Sequence, residues 1–241
     1  MKILLSLLGL ICLFTGTAQQ TKNYNDANAV TRNISSSFTK ISVSSGVELF
    51  LTQGNETALA ISVSDSKYEP RFKTEVTDGV LKIYYDSKGV SWTNDRNRKL
   101  KAYLSFKQLD EIEASAGSSV TLTNPLLAET LSLSFSSGSA ITGKVKTTAL
   151  SADLESGAEM NVSGSASRFT VKAGSGAVFK GFYLVTDYCK AEANSGAAIR
   201  IDVQKEITAS ANSGGDVRYK GNAQLKKGNI NSGGSVKHVT K

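Results

Sequence analysis

A short motif recurs down this chain at a nearly fixed interval, and no other feature restricts the possible folds as strongly. It appears as ISVSSGVELFL, IEASAGSSVTL, LSFSSGSAITG, ADLESGAEMNV, VKAGSGAVFKG, AEANSGAAIRI, ITASANSGGDVRYKG and GNINSGGSVKH. The shared glycines are Gly46, Gly117, Gly138, Gly157, Gly176, Gly196, Gly214 and Gly233. After a first gap of 71 residues the spacings are 21, 19, 19, 20, 18 and 19. A repeat of this length marks an architecture of stacked units, each unable to bury its own apolar face alone.

Aligning the copies on the glycine gives columns that alternate with a period of two, as strands do. Three positions after it stand Leu49, Val120, Ile141, Met160, Phe179, Ile199, Val217 and Val236. Three before it stand Val43, Ala114, Phe135, Leu154, Ala173, Ala193, Ala211 and Ile230, and five before it the residues are also small or apolar, from Ile41 to Gly228. Polar residues such as Asp153, Glu155, Lys172, Glu192 and Arg200 fill the positions between. The spacing predicts an all-β chain: a parallel β-helix or solenoid with coils of about 19 residues, each a strand, a tight glycine corner and another strand. Coils stacked at the strand spacing of about 4.8 Å would merge the columns into one core. Cys189 falls seven positions before Gly196, in the column of Leu131, Leu150, Phe169 and Ile207, which predicts a buried thiol. The Ser that precedes seven of the eight glycines is expected to face inward, its hydroxyl bonding a backbone group or the serine of the next coil. Eight copies do not make eight active sites, and a nucleophilic serine needs a base within reach. The sole histidine is His238.

The segment between Gly46 and Gly117 departs from the repeat. FKTEVTDGVLKIYYD places Asp78-Gly79 between alternating runs, a strong signal for a hairpin, so this N-terminal part is expected to be partly antiparallel. It also holds WTNDRNRKLK, a polar and basic excursion carrying the single tryptophan. Trp92, Arg96, Arg98 and Lys99 are the candidate ligand contacts of the sequence.

The first 18 residues read as an export signal: Lys2, an apolar run from Ile3 to Phe14, then Gly16 and Ala18 at small positions suited to cleavage after Ala18. Ile11 precedes Cys12 where a lipid-attachment box requires a small residue, so no lipid anchor is expected. Cleavage would remove Lys2 and leave 27 basic against 21 acidic residues, spread along the chain without a nucleic-acid motif. It would also leave Cys189 as the one cysteine, so no internal disulfide forms. With one histidine and one cysteine no metal site is expected, and no later segment reaches membrane-spanning length.

In order along the chain, FTKISVSSGVELFLTQGNE, TEVTDGVLKIYYD, LDEIEASAGSSVTL, SGAAIRIDV and ITASANSGGDVRYKGNA resemble the family of auto-transporter adhesins, head GIN domain, found in exported proteins of Bacteroidetes-type bacteria. The resemblance runs from about Thr31 to Val239 and implies a right-handed β-helix in a cell-envelope or surface setting. It brings no catalytic residues or cofactor. The expected organisation is a leader over residues 1–18, an extension over 19–33 and a single domain over 34–239.

The expected function is that of a non-enzymatic, exported binding module, periplasmic or at the surface, whose partner is an envelope or surface ligand such as a glycan, a protein or a membrane. Two alternatives remain. Parallel β-helices also carry polysaccharide-acting enzymes, whose chemistry needs gathered carboxylates; Asp153, Glu155 and Glu159, or Asp187, Glu192 and Asp202, are the acids to weigh. Open solenoid ends also allow homo-oligomeric stacking. Tyr183, Tyr188 and Tyr219 could form an aromatic strip suited to sugars, although packing at the core or its rim is the expectation.

Overall fold

In the computed structural model, which describes residues 26–89 and 97–240, coils of about 19 residues stack into a β-solenoid of about seven turns. The first strands are β1 (Val30–Arg32), β2 (Lys40–Val43), β3 (Val47–Gln53) and β4 (Ala58–Val63), followed by β5 (Phe72–Thr77), β6 (Val80–Tyr85) and β7 (Leu100–Phe106). Next come β8 (Glu111–Ala114), β9 (Ser119–Leu122) and β10 (Leu126–Phe135). Four long strands, β11 (Ala140–Leu154), β12 (Glu159–Ala173), β13 (Val178–Ala193) and β14 (Ala198–Ala211), each run from one corner to the next. The chain finishes with β15 (Asp216–Lys220), β16 (Gln224–Ile230) and β17 (Ser235–His238).

From β8 onward every pairing is parallel and nearly in repeat register: Leu133 lies beside Ala152, Ala152 beside Val171, Val171 beside Ala191, and Ala191 beside Ala209. The apolar columns read from sequence are the core. Leu49, Val120, Ile141, Met160, Phe179, Ile199 and Val217 are all within 1% of complete burial. Leu131, Leu150, Phe169, Cys189 and Ile207 form the expected second column, and burial pushes the Cys189 thiol well above its ordinary range.

The corners differ from expectation in one respect. The serines point outward, and Ser137, Ser156, Ser175, Ser195 and Ser213 are exposed. The cause is the backbone. In all eight corners the Ser (or Ala116) has φ between 48° and 66°, and the Gly between 71° and 77°. Two successive positive φ values define a type I′ turn, and seven corners close it with an N–H to carbonyl bond of 2.8 to 3.2 Å between the residues that flank the pair. The buried place at the corner belongs to the residue after the glycine. There Ser139 donates its hydroxyl to the Ala114 carbonyl at 2.9 Å, and Ser118 donates to Ser115 at 2.8 Å. The inward hydroxyl therefore exists one column away from where the sequence suggested it, and only in these two coils.

The corners also bond to one another. Each glycine N–H from Gly46 to Gly214 donates to the carbonyl of the Ser or Ala in the next corner, at 3.0 to 3.1 Å, making an axial ladder of seven bonds.

The 71-residue gap has a topological origin. The hairpin β5–β6, turned at Asp78-Gly79 with φ of 52° and 74°, is antiparallel as expected. Strand β2 lies between β6 and β8, and β3 between β7 and β9, all parallel. The Gly46 coil is thus sandwiched: residues 58–106 fold back to form the layer before it, and residues 111–122 form the layer after it. β4 and then β1 extend that end in antiparallel fashion, so part of the predicted extension enters the fold. At the other end β16 and β17 pair on one side only. Among the described residues no helix is long and apolar enough to cross a membrane.

Candidate functional site

Of the four residues singled out from sequence, two lie among the described residues. Trp92 and Arg96 lie outside the described residues. Lys99 is exposed, whereas Arg98 has a structural position: its guanidinium sits 4.0 Å from the Tyr85 ring centroid, and Nη2 lies 3.5 Å from the Ser45 carbonyl. Ser45 stands at the first corner of the axial ladder, where no glycine N–H of the described residues arrives. Arg98 supplies a donor there.

The acids weighed for hydrolytic chemistry are largely engaged by lysines. Glu159 pairs with Lys180 at 2.6 Å, Asp187 with Lys205 at 3.2 Å, Glu192 with Lys190 at 2.8 Å, and Asp202 with Lys220 at 3.5 Å. Three of these pairs bridge neighbouring coils, as opposite charges do across strands. Among the described residues no group of three or more His, Cys, Asp or Glu side chains is placed to hold a metal.

A more distinctive feature lies where the long strands bend. In register, Ala128, Thr147, Ala166 and Thr186 form the floor of a groove that runs along the solenoid axis over four coils. Leu127, Lys146, Ser165 and Val185 form one lip, and Glu129, Thr148, Ser167 and Asp187 the other. The groove has a volume of about 720 Å³. Its floor residues are small, so the surface dips between the two lips. Thr186 donates its hydroxyl to the Asp202 carbonyl at 3.3 Å, but the Thr147 hydroxyl, on a residue only 8% exposed, has no partner among the described residues. A buried polar atom left unpaired costs about 1–3 kcal/mol and calls for an explanation.

Beside one end of this groove the regular stacking breaks. Between Gly181 and Val185, strand β13 takes four steps while β14 takes one, from Ile201 to Asp202. Within the surplus Tyr183 turns outward while Leu184 stays fully buried, and bulges commonly re-aim side chains at functional positions. Here the bulge exposes Tyr183 at 79% and Val185 at 43%, with Tyr188 at 48% just beyond. Lys220 lies 5.6 Å from the Tyr183 ring and Lys205 5.5 Å from that of Tyr188. The three tyrosines considered together in sequence therefore separate: Tyr183 and Tyr188 face solvent, contrary to the packing expected of them, while Tyr219 is buried at 5% exposure against His238. The coil spacing of 20 followed by 18 was the only sequence trace of the bulge. The groove left no trace, because an Ala-Thr-Ala-Thr floor resembles any other small-residue column.

The family described as "Putative auto-transporter adhesin, head GIN domain" matches residues 37–223. No curated protein sequence matches the chain. Among solved structures, a putative adhesin from Bacteroides fragilis superposes with a TM-score of 0.76 at 18% identity, over 89% of this chain and 98% of that one. A putative lipid binding protein from Parabacteroides distasonis gives 0.67 at 20% identity, and a putative adhesin from Parabacteroides merdae 0.66 at 17%, with the same coverage of both chains. At these identities the superpositions establish the shared fold.

Proposed function

Since the chain belongs to the family of head GIN domains described for auto-transporter adhesins, we propose that it is an exported, non-enzymatic binding module that holds an envelope or surface ligand on the side of its solenoid. The observation that carries this reading is the bulged coil, which sets exposed Tyr183, Val185 and Tyr188 beside a groove on an otherwise regular, ion-paired surface. Exposed aromatic side chains of this kind are typical of recognition surfaces, because they offer large contact area at small entropic cost. The ion pairing of Glu159, Asp187, Glu192 and Asp202 supports binding over hydrolysis. Export rests on the leader-like residues 1–18, removed after Ala18, with residues 34–239 as the binding domain and Trp92, Arg96, Arg98 and Lys99 as an accessory contact.

The test is retention of the labelled mature protein on whole cells, peptidoglycan, isolated polysaccharides and envelope lipids of a Bacteroides-type bacterium. The expected result is saturable retention on at least one of them, with no change in the bound material. Absence of retention on all four would overturn the reading. Retention on the lipid fraction alone would bring the chain close to the relative named as a lipid binding protein.

A further inference from the structure

We propose that the axial groove between Leu127 and Asp187 is a binding site for a linear, uncharged glycan whose chain lies parallel to the solenoid axis. The proposal rests on the adhesive reading and names the ligand class that the groove fits.

The first argument is the match of repeats. Each coil advances the groove by about 4.8 Å, the spacing of neighbouring strands. One pyranose ring in an extended chain advances by a similar length. Four coils contribute to the groove, so it holds about four sugar rings, one facing each coil. The second argument is the chemistry of the lining. Hydroxyls recur along the axis at Thr147, Thr148, Ser165, Ser167 and Thr186, and carboxylates stand at the two ends of one lip. Such groups exchange hydrogen bonds with a row of sugar hydroxyls. Leu127 and Val185 cap the opposite lip with apolar surface for the C–H faces of the rings, and both are exposed, at 55% and 43%.

The third argument is the Thr147 hydroxyl. It is buried in the floor with no partner among the described residues, and a turn about χ1 would bring it up to a sugar hydroxyl lowered into the groove, completing its hydrogen bonding. Charge then narrows the class. Lys146 is the single cation among the described residues that line the groove, against the carboxylates of Glu129 and Asp187. A uronic-acid or sulfated chain, with a negative charge on each repeat, would meet too few cations. The strands themselves argue against a peptide. β11 and β12, at the centre of the groove, are hydrogen-bonded to neighbours on both sides, and on the outer edge of β10 the Gln53 side chain already bonds the Leu127 N–H and carbonyl, which blocks an added strand there.

The experiment titrates the mature protein against neutral linear oligosaccharides of hexose, pentose and N-acetylhexosamine units, α- and β-linked, from two to eight rings long, with oligogalacturonate as the anionic control. The expected result is binding to at least one neutral series, with affinity rising up to about four rings and flat thereafter, and at least tenfold weaker binding of the anionic control. Thr147→Val keeps the shape and removes the hydroxyl, and should weaken binding by about fivefold, a loss worth roughly one hydrogen bond. Ser167→Leu fills the groove from an exposed position and should abolish binding without altering the melting temperature. Binding to none of the neutral series, preference for the anionic control, or unchanged binding by Ser167→Leu would each overturn the groove assignment. If the wild-type protein and Ser167→Leu are retained equally on envelope fractions, the adhesive reading stands and its site lies elsewhere. If neither is retained, the adhesive reading falls as well.

Discussion

Gly176 and Gly164 show two distinct reasons for a glycine. At Gly176, φ is +74° and nothing lies within 4 Å of where a Cβ would stand, so conformation alone requires glycine. Gly176→Ala should cost about 1–2 kcal/mol, the penalty of a left-handed backbone, and the β-branched Gly176→Val more. At Gly164, φ is +111° and a Cβ would collide with the Val145 carbonyl oxygen, so conformation and space both forbid a side chain. Gly164→Ala should cost about 3 kcal/mol or more. Urea unfolding of the three variants checks the order Gly164→Ala, then Gly176→Val, then Gly176→Ala, from most to least destabilised. Ser213→Ala, at an exposed corner whose side chain makes no inward bond, should stay within about 0.5 kcal/mol of the parent protein. The inward placement that alternation suggests for these serines is not adopted, for a physical reason. Alternation counted through the Ser-Gly pair assumes a strand, and two positive φ values turn the corner side chain out of the series.

Within a single coil, Phe179 gives the clearest energetic test. Its side chain is fully buried, and its ring lies 5.1 Å from that of Phe169 in the same coil stack. Phe179→Ala should destabilise by about 3–5 kcal/mol, and Phe179→Asp should prevent folding; soluble yield and urea unfolding would register both. The columns to which Phe179 and Ile199 belong were legible because burial in a parallel stack demands an apolar residue at the same offset in every coil. The bulge of β13 was not legible. A coil of 20 residues followed by one of 18 leaves the repeat intact on average, and alternation carries no information about where a surplus residue is expelled. The layering of the N-terminal part was also hidden. The Asp78-Gly79 hairpin announces itself through its turn, but no local signal tells that the strands around it stack before the Gly46 coil instead of after it.

At the scale of the molecule, the two ends are unlike. Antiparallel β1 and β5 are the outermost strands of one, whereas at the other β16 and β17 continue the parallel stack and leave their outer edges unpaired among the described residues, with Ile230 of β16 39% exposed. Lys226 and Lys227 lie on that edge strand, and lysines on edges discourage strand-to-strand association. Replacing both by Thr should increase self-association, read as a rise in mean mass by light scattering at high protein concentration; a monomer unchanged at every concentration would show that the lysines are not what guards this end. The sandwiched position of the Gly46 coil has a kinetic consequence. Coils from Gly138 onward touch partners about 19 residues away, whereas Leu49 must meet Val120, 71 residues on. The longer closure costs about 1 kcal/mol more in chain entropy, and short-range contacts form faster. Pulsed hydrogen exchange during refolding should protect β11 to β14 before β2 and β3. The stretch synthesised early is then the last to settle, and it does so on a platform that the later residues have already built.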